Sequence, residues 1–112
     1  MTLKEKEQDG VVVLEISGKI MGGPDATLLN EKLHELIDTG KTKVVADLAK
    51  VNWMNSSGLG ILIGGLTTVR NSGGDLKLLH LNDKPQELLK ITKLSRVFET
   101  FDDEDKAIGS FA

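Results

Sequence analysis

Two short apolar runs, Val44-Val45-Ala46-Asp47-Leu48 and Leu76 to Leu81, are each followed by a stretch whose apolar residues recur at helical spacing, and this alternation limits the chain to few folds. A short continuous apolar run is the composition of a central strand covered on both faces. After the first run, Leu59, Leu62, Ile63, Leu66 and Val69 form a helical stripe closed by Asn71-Ser72-Gly73-Gly74. After the second, Asp83, with Pro85 two residues later, opens a helix carrying Leu88, Leu89, Ile91 and Leu94. Buried strands joined by helices need crossover connections, so the expectation is an α/β fold: a mixed sheet of four to five strands with about four helices.

The flanking segments fit this plan. Val11 to Ile16 is a β-branched run behind the turn signal Asp9-Gly10, which reads as a hairpin with a first strand from about Leu3 to Gln8. Gly22-Gly23-Pro24 then breaks the pattern, Asp25 can cap, and Ala26, Leu29, Leu33, Leu36 and Ile37 recur helically until Gly40. Val97 to Phe101 reads as a short edge strand. Asp102-Asp103-Glu104-Asp105 puts negative charge on the first turn of a last helix through Ala107 and Ile108, where the helix dipole favours it. That acidic run lacks the spacing and central glycine of a calcium loop, so it reads as a solvated turn.

A chain of 112 residues is expected to form one domain, 1–112, with a core of its own. Its 39% hydrophobic and 28% charged residues exclude a disordered chain. With no cysteine, disulfides, thiolate metal sites and cysteine nucleophiles are excluded. No stretch approaches the roughly 18 apolar residues that span a bilayer, and the charged start, Met1 to Gly10, lacks a signal region; a cytoplasmic protein with no membrane insertion is expected. The net charge is -3, and no basic block is interleaved with aromatics, which argues against a nucleic-acid partner. His34 and His80 stand far apart with no second ligand at metal spacing, so no metal site is expected.

The chemistry concentrates between Asp47 and Gly60, read as a buried strand, a loop from Leu48, and a helix start. Asn55, Ser56 and Ser57 can each accept hydrogen bonds from the first helical turn, so the N-cap lies among them. Trp53, the one tryptophan, and Met54 read first as core plugs and second as an exposed contact surface. Gly60, Gly64 and Gly65 each cost roughly 1 kcal/mol within a helix, which a close approach to the sheet or to a partner would offset. Gly58-x-Gly60-x-x-x-Gly64, with Asp83 beyond the next strand, approaches a dinucleotide fingerprint. Its glycine spacing is nevertheless off by one, the loop is too long, and the Gly-Lys-Ser/Thr of a phosphate loop is absent. Neither serine lies in a Gly-x-Ser-x-Gly elbow, and the only histidine bases sit in a helix and a strand, so catalysis is not expected.

The run Met54-Asn55-Ser56-Ser57-Gly58-Leu59-Gly60, after a strand ending Asp47-Leu48, closely resembles the Asp-Ser-Ser/Thr-Gly-Leu-Gly signature of bacterial anti-sigma factor antagonists, members of the STAS-domain family. Gly18 with Ile20, Gly73-Gly74, and Leu94 to Phe98 match the same plan, so the resemblance covers nearly the whole chain. It implies a binding protein rather than an enzyme. In that family the unphosphorylated antagonist binds an anti-sigma factor that is also a serine kinase and so frees a sigma factor, and phosphorylation of the serine after the motif aspartate breaks the complex. That serine corresponds to Ser56, with Ser57 adjacent. The implied contact surface is Met54, Asn55, Ser56, Ser57, Gly58, Leu59 and Gly60, continued by Gly64, Thr67 and Thr68 on the helix. No cofactor is implied; ATP and magnesium belong to the partner kinase, and a phosphatase is a further implied partner. Two positions depart from the pattern: Asn55 stands at the usual aspartate, and Met21 stands near where many relatives carry another. Since the family also includes scaffolds and modules of transport systems, the alternative is an interaction module that is not phosphorylated.

Overall fold

A computed structural model describes residues 1–111. Strand β1 (Thr2–Gln8) and β2 (Val11–Ile20) form the expected hairpin. Asp9 and Gly10 both have positive φ, at 55° and 78°, as a two-residue turn between twisted antiparallel strands requires. There follow α1 (Pro24–Asp38), β3 (Lys43–Met54), α2 (Ser56–Asn71), β4 (Asp75–Leu79), α3 (Asp83–Ile91), β5 (Thr100–Phe101) and α4 (Glu104–Gly109). The five-stranded sheet has the order β1-β2-β3-β4-β5, with only β1 and β2 antiparallel. The mixed α/β sheet expected from the sequence is the one found.

The alternation of side chains along the central strands divides the core. Val12, Leu14, Val44, Ala46, Leu48, Leu76 and Leu78 face the helices and are buried against Leu29, Leu33 and Leu36 of α1, Leu59, Leu62, Leu66 and Val69 of α2, and Leu89 of α3. Val11, Val13, Val45 and Leu79 face the other way, under Ala107 and Ile108 of α4. Lys77, only 5% exposed, lies in that second layer. Its ammonium donates to Ser110 Oγ at 2.8 Å and to Ser110 O at 3.2 Å, pairs with Glu99 at 3.3 Å, and stands 4.2 Å from the centre of the Phe111 ring. A charge so nearly buried is tolerable only with such partners.

Several boundaries differ from the sequence reading. Asp25 is not the cap of α1: Gly23 holds the cap position, Pro24 begins the helix, and Asp25 Oδ2 accepts from the Met21 amide at 3.1 Å. Strand β4 stops at Leu79 rather than Leu81, because His80 turns to a φ of 56°. The edge strand shrinks from Val97–Phe101 to Thr100–Phe101. Helix α3 ends at Ile91, whose side chain is 68% exposed instead of belonging to an apolar stripe, and Leu94 lies beyond the helix.

The largest difference is the segment after Leu48, which is strand and not loop. Strand β3 continues to Met54, with Ser17, Gly18, Lys19 and Ile20 of β2 facing Lys50, Val51, Trp53 and Met54. Register shifts between Glu15 and Ser17 and between Gly18 and Lys19 accommodate the extra residues of β3. The objection to a dinucleotide fingerprint that rested on a long loop therefore falls, while the glycine spacing stays as the sequence has it.

Strand β1 forms one edge of the sheet. Three of its four charges are matched from within the chain: Lys6 pairs with Glu104 of α4 at 2.9 Å, Glu5 with Lys32 of α1 at 3.1 Å, and Glu7 with Lys41 at 3.4 Å. Among the described residues, no helix is long and apolar enough to cross a membrane.

Candidate functional site

Because β3 runs directly into α2, the first turn of the helix stands at the carboxyl end of the parallel strands, the usual place for a site in a sheet of this kind. Asn55 is the N-cap, and its Oδ1 accepts from the Gly58 amide at 2.8 Å. The sequence left the cap open among Asn55, Ser56 and Ser57; the structure assigns it to the first. Ser56 and Ser57 become the first two helical residues, both exposed, and among the described residues no hydrogen bond engages either hydroxyl.

Packing fixes this helix start from below. Gly58 is buried at the end of β2: a Cβ there would overlap the carbonyl oxygen of Ile20 and lie 2.7 Å from its carbon and 3.0 Å from Met54 Cγ. Met54 and Leu59 are 3% and 2% exposed. Met54 and Leu59 thus lie beneath the expected contact surface, and with Gly58 they hold it in place. Ser56, Ser57 and Gly60 are exposed, and Asn55 is half-buried.

Two segments flank the serines. On one side the turn after β2 presses in, so that a Cβ on Gly22 (φ 112°) would lie 3.2 Å from Ser57 Cβ, and Met21 is exposed beside it. On the other side, Asn82 at the head of α3 reaches under β3. Its Nδ2 donates to the carbonyl oxygens of Ala49 and Val51, both at 2.9 Å, and contacts that of Leu48 at 3.4 Å. Lys84 places its ammonium 4.8 Å from the centre of the Trp53 ring. Trp53 is 40% exposed, which overturns its reading as a core plug. Neither Asn82 nor Lys84 was singled out by the sequence; Asn82 carried only the signal of a cap-type residue before a helix.

Along α2 the glycines divide by role. A Cβ on Gly65 would meet Leu33 Cδ1 at 2.9 Å, so this glycine lets α1 approach α2. Gly60 and Gly64 face open space and, with Ser57 and Thr68, form one side of a groove of about 570 Å³ whose other side includes Thr27 and Glu31 of α1. Of the helix face expected to meet a partner, Gly60, Gly64 and Thr68 thus lie together, whereas Thr67 lies outside the groove and bonds back to Ile63 O at 3.1 Å.

The histidines stand apart from this end of α2. His34 is exposed on α1, and His80 Nδ1 lies 3.0 Å from Oδ1 of the nearly buried Asp47, which also accepts from the Ala49 amide. Among the described residues, no group of three or more acidic or histidine side chains could hold a metal ion.

This arrangement, an exposed serine pair at the start of a helix clamped on a mixed sheet, coincides with a family match: the STAS domain profile covers residues 2–107, and the chain belongs to the STAS-domain family. Among its relatives is the anti-sigma-B factor antagonist of Bacillus subtilis, 33% identical over 87% of this chain and 85% of that protein. Among solved structures, an anti-sigma factor antagonist from Mycobacterium paratuberculosis superposes with a TM-score of 0.81 at 23% identity, covering 97% of this chain and 92% of that one. The Bacillus cell fate determinant SpoIIAA in its phosphorylated form superposes at 0.74 with 18% identity, over 99% of this chain and 100% of that one. At these identities the two structures establish a shared fold.

Proposed function

We propose that this chain is an anti-sigma factor antagonist: its α2 start docks on an anti-sigma factor with serine kinase activity, releasing a sigma factor, and phosphorylation of Ser56 ends the contact. The observation that carries the reading is the position of Ser56, exposed, unengaged and first in a helix whose start is fixed by the Asn55 cap and the Gly58 contact. The name of the Bacillus subtilis relative and the existence of a phosphorylated form of SpoIIAA support it.

The electrostatics suit a switch. A phosphate adds about -1.5 to -2 charge, which the positive end of a helix tolerates but a partner surface shaped around a neutral hydroxyl does not. A loss of about 3 kcal/mol in binding lowers affinity by roughly two powers of ten. The fold itself need not move, because the Ser56 hydroxyl supports no other contact. In this reading the chain is substrate and ligand and not a catalyst, acts in the cytoplasm, and needs no cofactor; ATP and magnesium arrive with the kinase, and a phosphatase resets the switch.

Asn55 favours a second reading, a STAS interaction module that binds without being phosphorylated, since it keeps the capping oxygen while removing a carboxylate beside the hydroxyl. Intact-mass analysis after incubation with each anti-sigma factor kinase of the source genome, ATP and magnesium separates the two. A gain of one phosphate that Ser56→Ala abolishes and Ser57→Ala does not supports the switch; complex formation with no gain in mass supports the second reading.

A further inference from the structure

The sheet end that carries Ser56 also carries a feature the switch itself does not require. Trp53, the single tryptophan, is 40% exposed at the end of β3. Two exposed lysines adjoin it: Lys84 lies over the ring, and Lys19 is its partner across the β2–β3 ladder. Among the described residues, neither lysine forms an ion pair. In a chain of net charge -3, this is a local concentration of uncompensated positive charge around an exposed aromatic ring, with the neighbouring Asp83 the one acidic side chain at the head of α3.

We infer that Trp53, with Lys19 and Lys84, is a second anchor of the docking surface and fits an apolar slot rimmed by carboxylates on the anti-sigma factor. The inference rests on the proposal that the Ser56 end is the docking end. Trp53 precedes Ser56 by three residues, so the two lie at most about 11 Å apart along the backbone and fall within one interface. Tryptophan is among the side chains that dominate interface energetics, and a ring already held by a cation loses less freedom on docking. The surrounding lysines favour an acidic partner and make association dependent on salt.

Two measurements test the anchor. In the free protein, iodide should quench Trp53 fluorescence more strongly than caesium does when each is measured relative to free N-acetyltryptophanamide, and Lys84→Gln should narrow the difference; equal relative quenching by the two ions would remove the charge argument. In binding assays with each purified anti-sigma factor kinase of the source genome, Trp53→Ala should weaken the complex about tenfold or more. Trp53→Phe should retain most of the affinity, and the double change of Lys19 and Lys84 to Gln should flatten the salt dependence; circular dichroism confirms that each variant is folded. If Ser56→Asp abolishes binding while the Trp53 and lysine variants bind like the unaltered chain, the anchor is wrong and the serine switch stands. If the unaltered chain binds none of the kinases, the docking proposal fails and takes the anchor with it.

Discussion

Gly58 rests on the carbonyl group of Ile20, so closely that any β-carbon at residue 58 would occupy the space of the carbonyl oxygen. Both groups are backbone, and neither can rotate away. Gly58→Ala should therefore force α2 off the end of β2 and destabilise the fold by about 2–4 kcal/mol, against at most about 1 kcal/mol gained from better helix propensity. Gly60→Ala, where the added methyl meets open space, should be neutral or slightly stabilising. Chemical denaturation of both variants checks the contrast; equal effects would mean that the contact does not set the helix position.

The cap at Asn55 is a separate contribution. Asn55→Ala removes the acceptor for the Gly58 amide and should cost about 1 kcal/mol. Asn55→Asp keeps an acceptor and adds a negative charge at the helix start, which should stabilise by about 0.3–1 kcal/mol at neutral pH. Thermal melts of the two variants should move in opposite directions.

Asn82 offers a sharper chemical test. Its amide donates towards three carbonyl oxygens of β3. Asn82→Asp conserves shape but puts a carboxylate against those oxygens, so it should destabilise more than Asn82→Ala, by about 2–3 kcal/mol against about 1. Hydrogen exchange should localise the loss to Ala49–Met54, the stretch that delivers Trp53 and Asn55 to the site.

Lys77 holds α4. Lys77→Ala removes the donor to Ser110 and the cation beside Phe111, and should cost about 1–3 kcal/mol. Amide exchange should rise over Glu104–Gly109 and leave α2 unchanged, because the two helices cover opposite faces of the sheet.

The Lys6 and Lys32 ammonium groups tie two of the β1 pairs to pH in the alkaline range. Glu104, by accepting a hydrogen bond, raises the Lys6 ammonium above the ordinary 10.5, and Glu5 does the same for Lys32. A raised lysine contributes stability that is fully present below the unfolded value and is lost as pH rises through the higher folded one. The stability difference between the unaltered chain and Lys32→Met should thus stay constant from about pH 6 to 9 and shrink only above about pH 10.5, as pH-dependent melts can show.

The sequence made the helices and the central strands legible because most of their apolar residues keep one period, Ile91 at the end of α3 being an exception. It misled where that period breaks. In β3, Leu48, Val51 and Met54 are buried while the pairs Ala49-Lys50 and Asn52-Trp53 are exposed, a spacing of three that the register shifts against β2 create and that matches no regular strand. The same irregularity turned Trp53 outward, against the usual burial of large apolar residues. The place of Ser56 at a helix start was legible, and Asn55 as one of three cap candidates. The roles of Asn82 and Lys84 were not, since they depend on α3 beginning beside a strand that lies some thirty residues earlier.

The edge strand β1 bears on how copies of this chain meet. Two edges joined about a two-fold axis run antiparallel, and directly opposed residues then share a face, so even-numbered positions meet even and odd meet odd. On β1 the even row carries Lys4 and Lys6, and the odd row carries Glu5 and Glu7. Every such register near the middle of the strand brings lysine to lysine or glutamate to glutamate: Lys4 opposite Lys6 with Glu5 opposite its own copy, or Lys6 opposite its copy with Glu5 opposite Glu7. The strand accepts β2 on its inner side, and the same alternation that finds counter-charges on α1 and α4 sets a copy of itself at a disadvantage on the outer side.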